Sequence, residues 1–318
     1  MSLAKKLKEN LAVPVIGAPL FIIGNPDLVV AQCKAGIIGS FPALNARPAE
    51  ELDLWLKKIK RSLEDFKKEK PETKVAPFAV NQIIHASNKR LKQDMDACVK
   101  YKVPIIITSL SEPGAIVRET HSYGGLVFHD VISIKHAKKA IDAGVDGLIL
   151  VGAGAGGHAG TLNPFAFVRE VRRFFNGPIA LSGAITDGAG ILACKALGAD
   201  FAYMGTRFIA TTEARAADAY KKMIVDSDAK DILYTPFFTG VNGNYLLKSI
   251  IAAGLDPKDV MTGDKSLMDF GEKRKRLKTW KDIWGAGQGV GNIQSVLGTN
   301  ELVKKLILEY ELACKTIN

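Results

Sequence analysis

The chain has 318 residues, 47% of them hydrophobic and 24% charged, with a formal net charge of +10. That length suits one large α/β barrel or two smaller domains, with ample apolar material for a core. No secretory segment and no apolar run of the ~18 residues needed to span a bilayer is present, and the four cysteines (Cys33, Cys98, Cys194, Cys314) show no metal spacing. The expectation is a cytoplasmic, soluble protein with free thiols, no membrane partner and no metal.

In chain order, Val13 to Ala18 is a short apolar strand ending at Ala18-Pro19-Leu20. A helix follows from Asp27 to Lys34, then a strand from Ile37 to Phe41. Ala49 to Lys68 is helical, with Leu52, Trp55, Leu56, Ile59 and Leu63 on one face. Val75 to Asn81 is a third strand, Lys89 to Lys100 a helix, and Val103 to Leu110 a strand apolar enough to be buried on both sides. A short helix (Pro113 to Glu119), a strand (Gly125 to Val131) and a helix (Ser133 to Ala143) come next.

The sixth strand, from Gly147, breaks into the loop GAGAGGHAG at Gly152 to Gly160. Few Cβ atoms remain there, so the backbone can approach a planar or phosphorylated ligand closely, and His158 can titrate near neutral pH. Taken alone, such a loop is equally a glycine turn with a surface histidine. A helix runs from Pro164 to Phe175 and a strand from Pro178 to Gly183; a helix capped by Asp187 ends at Gly198, and the eighth strand spans Phe201 to Phe208. Buried strands alternating with amphipathic helices force right-handed crossovers and a parallel sheet. Eight such units favour a closed (β/α)8 barrel over an open sheet.

Beyond the barrel (residues 1–225), residues 226–298 read as an appended helical and loop lid over its mouth, and 299–318 as a C-terminal helix packed on the barrel. The basic run KRKRLK at 273–278 has no interleaved aromatics. It is taken as a solvated face rather than a nucleic-acid patch.

Barrel enzymes carry their chemistry at the C-terminal ends of the strands. Here those ends offer Ala18, Pro19, Leu20, Asn81, Ser109, Asp130, the loop Gly154 to Gly160, Ser182, Gly183, Gly205 and Thr206. Backbone N–H groups at the seventh and eighth strand ends, with the Ser182 and Thr206 hydroxyls, form an anion cradle at the usual phosphate site of this fold. One phosphate on a nucleotide-like cofactor points to FMN. The glycine spacing does not match a dinucleotide fingerprint, and no Walker loop is present.

Together these residues resemble the nitronate monooxygenase family, formerly called 2-nitropropane dioxygenases. The carrying motifs are PVIGAPL (14–20), AVN (79–81), GAGAGGHAG (152–160), LSGAITDG (181–188), ALGADFAYMGTRF (196–208) and WGAGQGVG (284–291). The resemblance spans nearly the whole chain. It implies an FMN-dependent TIM barrel in which Ala18, Pro19, Leu20, Asn81 and the 154–157 loop (Ala155, Gly156 and Gly157 among them) bound the isoalloxazine. Ser182, Gly183, Gly205 and Thr206 would hold the phosphate, Gln288 would contact the flavin, and His158 would be catalytic. One departure stands out: where several relatives place a lysine by the flavin, at the end of the fifth strand, this chain has Asp130. A carboxylate does not stabilise anionic reduced flavin as an ammonium does.

The implied activity is oxidation of a small alkyl nitronate or nitroalkane by O2 to a carbonyl compound and nitrite, with a homodimer compatible with it. The rival is an NAD(P)H-dependent FMN reductase acting on quinones or enoyl thioesters, since FMN-type enoyl reductases share the Gly-Gly-His-x-Gly loop and the barrel. Of the other histidines, His129 reads as a satisfied strand residue, His136 as helical surface, and His85 and His121 as loop residues able to line the mouth. Tyr123, Trp280 and Trp284 are candidates for shaping a substrate pocket.

Overall fold

The computed structural model describes residues 2–262 and 280–317. The basic run 273–278 lies outside them. In chain order the strands are β1 (Val15–Gly17), β2 (Gly39–Pro42), β3 (Phe78–Ile84), β4 (Ile105–Leu110), β5 (Leu126–Val131), β6 (Gly147–Val151), β7 (Gly157–His158), β8 (Ile179–Ser182), β9 (Phe201–Met204), β10 (Ile232–Thr235) and β11 (Gly243–Leu246). Eight of them form one parallel sheet in the order β1-β9-β8-β6-β5-β4-β3-β2. A parallel bridge between Ile16 and Ile38 joins its two ends, so the sheet closes into a (β/α)8 barrel.

Local chemistry sets where the helices begin and end. The side chains of Asn25, Ser133, Asn163 and Asp187 each accept a backbone N–H from the first turn of the helix they precede. The Gly188–Leu197 helix stops at Gly198, whose φ of 103° is left-handed.

Side chains alternate across each strand. One set, including Val80, Ile106, Val127, Leu148, Leu181 and Ala202, packs outward under the helices. The other fills the barrel: Ile16, Ile38, Ala79, Ile105, Ile107, Phe128, Ile149, Ala180, Phe201 and Tyr203. Leu7, on the N-terminal helix Leu3–Lys8, and Leu11 pack on this inner cluster. Two residues beyond Ala79, Ile107, Phe128 and Ala180, the same inward alternation reaches Asn81, Ser109, Asp130 and Ser182, all of which line a cavity. The apolar barrel thus carries a polar top layer.

Three elements differ from expectation. β3 continues past Asn81 to Ile84, because its register with β4 persists through Ile84–Leu110. β9 stops at Met204, where Gly205 leaves the extended conformation (φ −104°, ψ −68°) and a short helix Thr206–Ile209 begins. The region after the barrel is not simply helical. β10 and β11 form an antiparallel pair that β7 extends, with Gly243 opposite His158 and Asn244 opposite Gly157. Their ILYT and GNYL sequences are too short to show a period, and the pairing with the glycine loop spans more than eighty residues. The last helix, Thr299–Ile317, packs on the Gly188–Leu197 and Pro26–Lys34 helices.

Among the described residues no helix is long and apolar enough to cross a membrane.

Candidate active site

A cavity of about 530 Å³ opens at the C-terminal end of the barrel, within the size range of small-molecule sites. Ala18, Pro19, Leu20, Asn81, Ser109, Asp130, Ala155, Gly156, Gly157, His158, Ser182, Gly183, Gly205 and Thr206 all line it. Gln288 does not. Its backbone N–H donates to Gly154 O at 2.9 Å, and its exposed side chain lies over Gly154.

The glycine loop is clamped from the far end of the chain. Gly287 N donates to Thr206 Oγ1 (2.9 Å), and Asn244 Nδ2 donates to Ala155 O (2.6 Å). A Cβ on Gly156 would sit 2.8 Å from Gly287 N, and one on Gly287 would sit 2.6 Å from Gly154 O. The two glycine motifs are therefore mutually required for this close approach. The clamp also alters the expected role of Thr206. Its oxygen already accepts from Gly287, so a ligand is offered its O–H.

His158 stands on β7. Its Nε2 lies 2.8 Å from Thr239 Oγ1, which in turn donates to Val241 O at 3.1 Å. The Trp280 ring meets the imidazole edge-on at a centroid distance of 5.2 Å and stacks on Tyr245. Burial lowers the His158 pKa from its ordinary value. Nδ1 has no partner among the described residues.

On the cavity floor, three neighbouring strands carry a directed chain. Asn81 Nδ2 donates to Ser109 Oγ (2.8 Å), and Ser109 Oγ donates to Asp130 Oδ2 (2.6 Å). Burial pushes the Asp130 carboxyl up to about 6, against the opposing pull of the Ser109 hydrogen bond. Asp130 Oδ1 and Tyr203 Oη are buried without a hydrogen-bond partner among the described residues.

The remaining candidates separate. His129 faces outward and pairs with Thr108 Oγ1 (2.8 Å), and burial lowers it to about 4. His136, taken as helical surface, is exposed but lines the cavity. His85 bonds Ser87 and His121 bonds Asp146; neither lines the cavity. Of the aromatics, Trp280 lines it, whereas Trp284 stacks on Tyr220 and Tyr123 donates to Val103 O. Sequence reasoning missed Thr239 and Tyr203. Tyr203 was readable from the alternation in β9, two residues beyond the inward Phe201. Thr239 carried no signal, since only the fold brings it to His158.

A family model described as NMO, nitronate monooxygenase, matches residues 4–309. A nitronate monooxygenase of Paraburkholderia phytofirmans is 26% identical over 77% of this chain and 76% of its own length. A (3aS,4S,5R,7aS)-5-hydroxy-7a-methyl-1-oxo-octahydro-1H-indene-4-carboxyl-CoA dehydrogenase of Rhodococcus jostii is 25% identical over 85% of this chain and 78% of its own. Among solved structures, FabK from Thermotoga maritima superposes with a TM-score of 0.81 at 24% identity, covering 100% of this chain and 98% of that one; the likeness is one of fold. With a match from residue 4 to residue 309 and a barrel whose mouth gathers the motif residues into one cavity, this chain belongs to the nitronate monooxygenase family of oxidoreductases.

Proposed function

We propose that the cavity binds FMN and that the protein oxidises alkyl nitronates with O2 to carbonyl compounds and nitrite. The observation that carries this reading is the single cavity that brings His158, the glycine loop and the two strand-end hydroxyls together. The residues fit the cofactor. No lysine or arginine lines the cavity among the described residues, so a phosphomonoester would be held by backbone N–H groups at Gly183 and Gly205 and by the Ser182 and Thr206 hydroxyls. The unpartnered Asp130 Oδ1 and Tyr203 Oη match a ring edge bearing both N–H and C=O groups, as the flavin pyrimidine does. Ala18, Pro19, Leu20, Asn81 and Ala155 to Gly157 would bound the ring, and Gln288 would approach it from outside Gly154. Among the described residues, 226–262 and 280–298 would act as a lid on the barrel, with 299–317 packed against its side.

When bound, FMN supplies the electron-accepting chemistry and the reaction with O2. The protein supplies position and proton control. Desolvation lowers the His158 pKa, which shifts its imidazole toward the neutral form. That favours a base at Nδ1, taking the α-proton of a neutral nitroalkane, over an imidazolium that pairs with the anion. Thr239, at Nε2, orients the ring.

The Rhodococcus relative, a dehydrogenase of an acyl-CoA by name, favours one second reading: an NAD(P)H-dependent FMN reductase acting on enoyl thioesters or quinones. Anaerobic titration of the FMN-loaded protein separates the two. Bleaching of the flavin by a nitronate and not by NADH is expected. Bleaching by NADH alone would favour the reductase, and a colourless protein that refuses added FMN would sink both.

A further inference from the structure

Two polar atoms on the cavity wall have no hydrogen-bond partner among the described residues. Asp130 Oδ1 and Tyr203 Oη are both buried. They occupy the last inward-facing positions of β5 and β9, above Phe128 and Phe201. A buried, unsatisfied polar pair of this kind calls for a ligand.

Asp130 differs from Tyr203 in being ionisable near neutrality. The donor chain from Asn81 through Ser109 ends on its Oδ2 and leaves Oδ1 as its one open atom. The titratable residues lining the cavity, among those described, are Asp130, His136, His158, Tyr203 and Tyr220, with no lysine or arginine. A second negative charge arriving there meets the Asp130 carboxylate with no lysine or arginine in the lining to offset it, in a site where charges interact more strongly than in water.

We propose that Asp130 is a redox-linked proton site: as the bound cofactor gains electrons and negative charge, the Asp130 carboxylate takes one proton from solvent. The proposal rests on the reading of the cavity as an FMN site. The electrons come from the reductant and the proton from water. No bond to the cofactor forms, and the change at Asp130 is from carboxylate to carboxylic acid. Burial has already brought this group up to about 6, so one more negative charge nearby carries it into the neutral range. Tyr203 stays a protonated donor throughout, its phenol raised well above its ordinary value by burial first and by the Asp130 charge second. His129 adjoins Asp130 in sequence but is turned to the outer layer. His136 and His158 face the same cavity and are common to wild type and variant, so the difference between the two isolates Asp130.

The test is the midpoint potential of FMN-loaded wild-type, Asp130→Asn and Ser109→Ala proteins, reduced by dithionite against reference dyes from about pH 5 to about pH 9. Wild type and Asp130→Asn are expected to coincide at the acid end. Above it the wild-type line falls more steeply, until its reduction equilibrium is roughly tenfold less favourable, about 30 mV for a two-electron couple. Ser109→Ala deletes the donor that favours the ionised carboxyl. It should move the onset of the steep segment to higher pH, and it carries the test if Asp130→Asn does not fold. Parallel lines for wild type and Asp130→Asn, or an unmoved onset in Ser109→Ala, overturn the proposal. A wild-type chain that takes up no FMN overturns the reading beneath it as well, and the visible spectrum shows that failure before any potential is measured.

Discussion

At His158 one nitrogen is engaged and the other is open. Thr239 Oγ1 sits 2.8 Å from Nε2 and donates its O–H to Val241 O, which favours the imidazole hydrogen on Nε2 and a lone pair on Nδ1. A base of this kind matters only while there is a proton to remove. His158→Ala should lower kcat/KM for a neutral nitroalkane by about 10²- to 10⁴-fold, while a preformed nitronate turns over nearly as in wild type. Nitrite release from the two substrates measures this, and equal losses on both would remove the base role. Burial lowers the pKa, so the wild-type rate on the neutral nitroalkane should hold above the ordinary histidine value of ~6.5 and fall only as pH drops through a lower one.

The Thr299–Ile317 helix shows how an element is fixed from a distance. Both carboxylate oxygens of Glu213 accept from Thr299 N (3.1 and 2.9 Å), and Oε2 also accepts from Thr299 Oγ1 (2.7 Å) and Thr212 Oγ1 (3.0 Å). Burial pushes this carboxyl up, but the hydrogen bonds outweigh it and hold it below its ordinary value. The folded pKa is depressed, so the stability it contributes is present above the unfolded value of ~4.3 and is lost as pH falls through the folded one. Glu213→Ala should cost about 1–2 kcal/mol, the usual loss for a removed helix-start acceptor. Chemical denaturation at neutral pH would read it, and the deficit should shrink in acid. A deficit equal at both pH values would mean that the carboxylate is not the stabilising group.

Across the whole molecule, the cavity joins parts of the chain that are otherwise far apart. Its wall draws on the barrel strands, the loop 154–159, Val241, and Trp280, Gly285, Gly287 and Gly289. A ligand seated there bridges the barrel to the β10-β11 region, and binding to the folded state alone stabilises by mass action. FMN at roughly 100 times its Kd should add about 2.7 kcal/mol to the unfolding free energy. Thermal melts with and without FMN would detect it, with riboflavin as the control for the phosphate contacts. If riboflavin stabilises as strongly as FMN, the anion cradle at Ser182, Gly183, Gly205 and Thr206 contributes nothing.

The amino-acid order by itself determined the eight βα units, their capping residues, the glycine loop and the family motifs, because each is written within a few residues of itself. Strand alternation even aimed Asn81, Ser109, Asp130 and Ser182 into the barrel, since the period of two is local. Only the tertiary structure decided that Thr239 would meet His158, that Gly287 would occupy the Thr206 oxygen, and that Asp130 would share a wall with Tyr203 yet, among the described residues, bond neither it nor any cation. The pairs His158–Thr239, Thr206–Gly287 and Asp130–Tyr203 lie from 73 to 81 positions apart in the sequence. Nothing periodic links such positions. Barrel closure and strand register bring them together, which is why the scaffold could be read along the chain and the charge balance of its cavity could not.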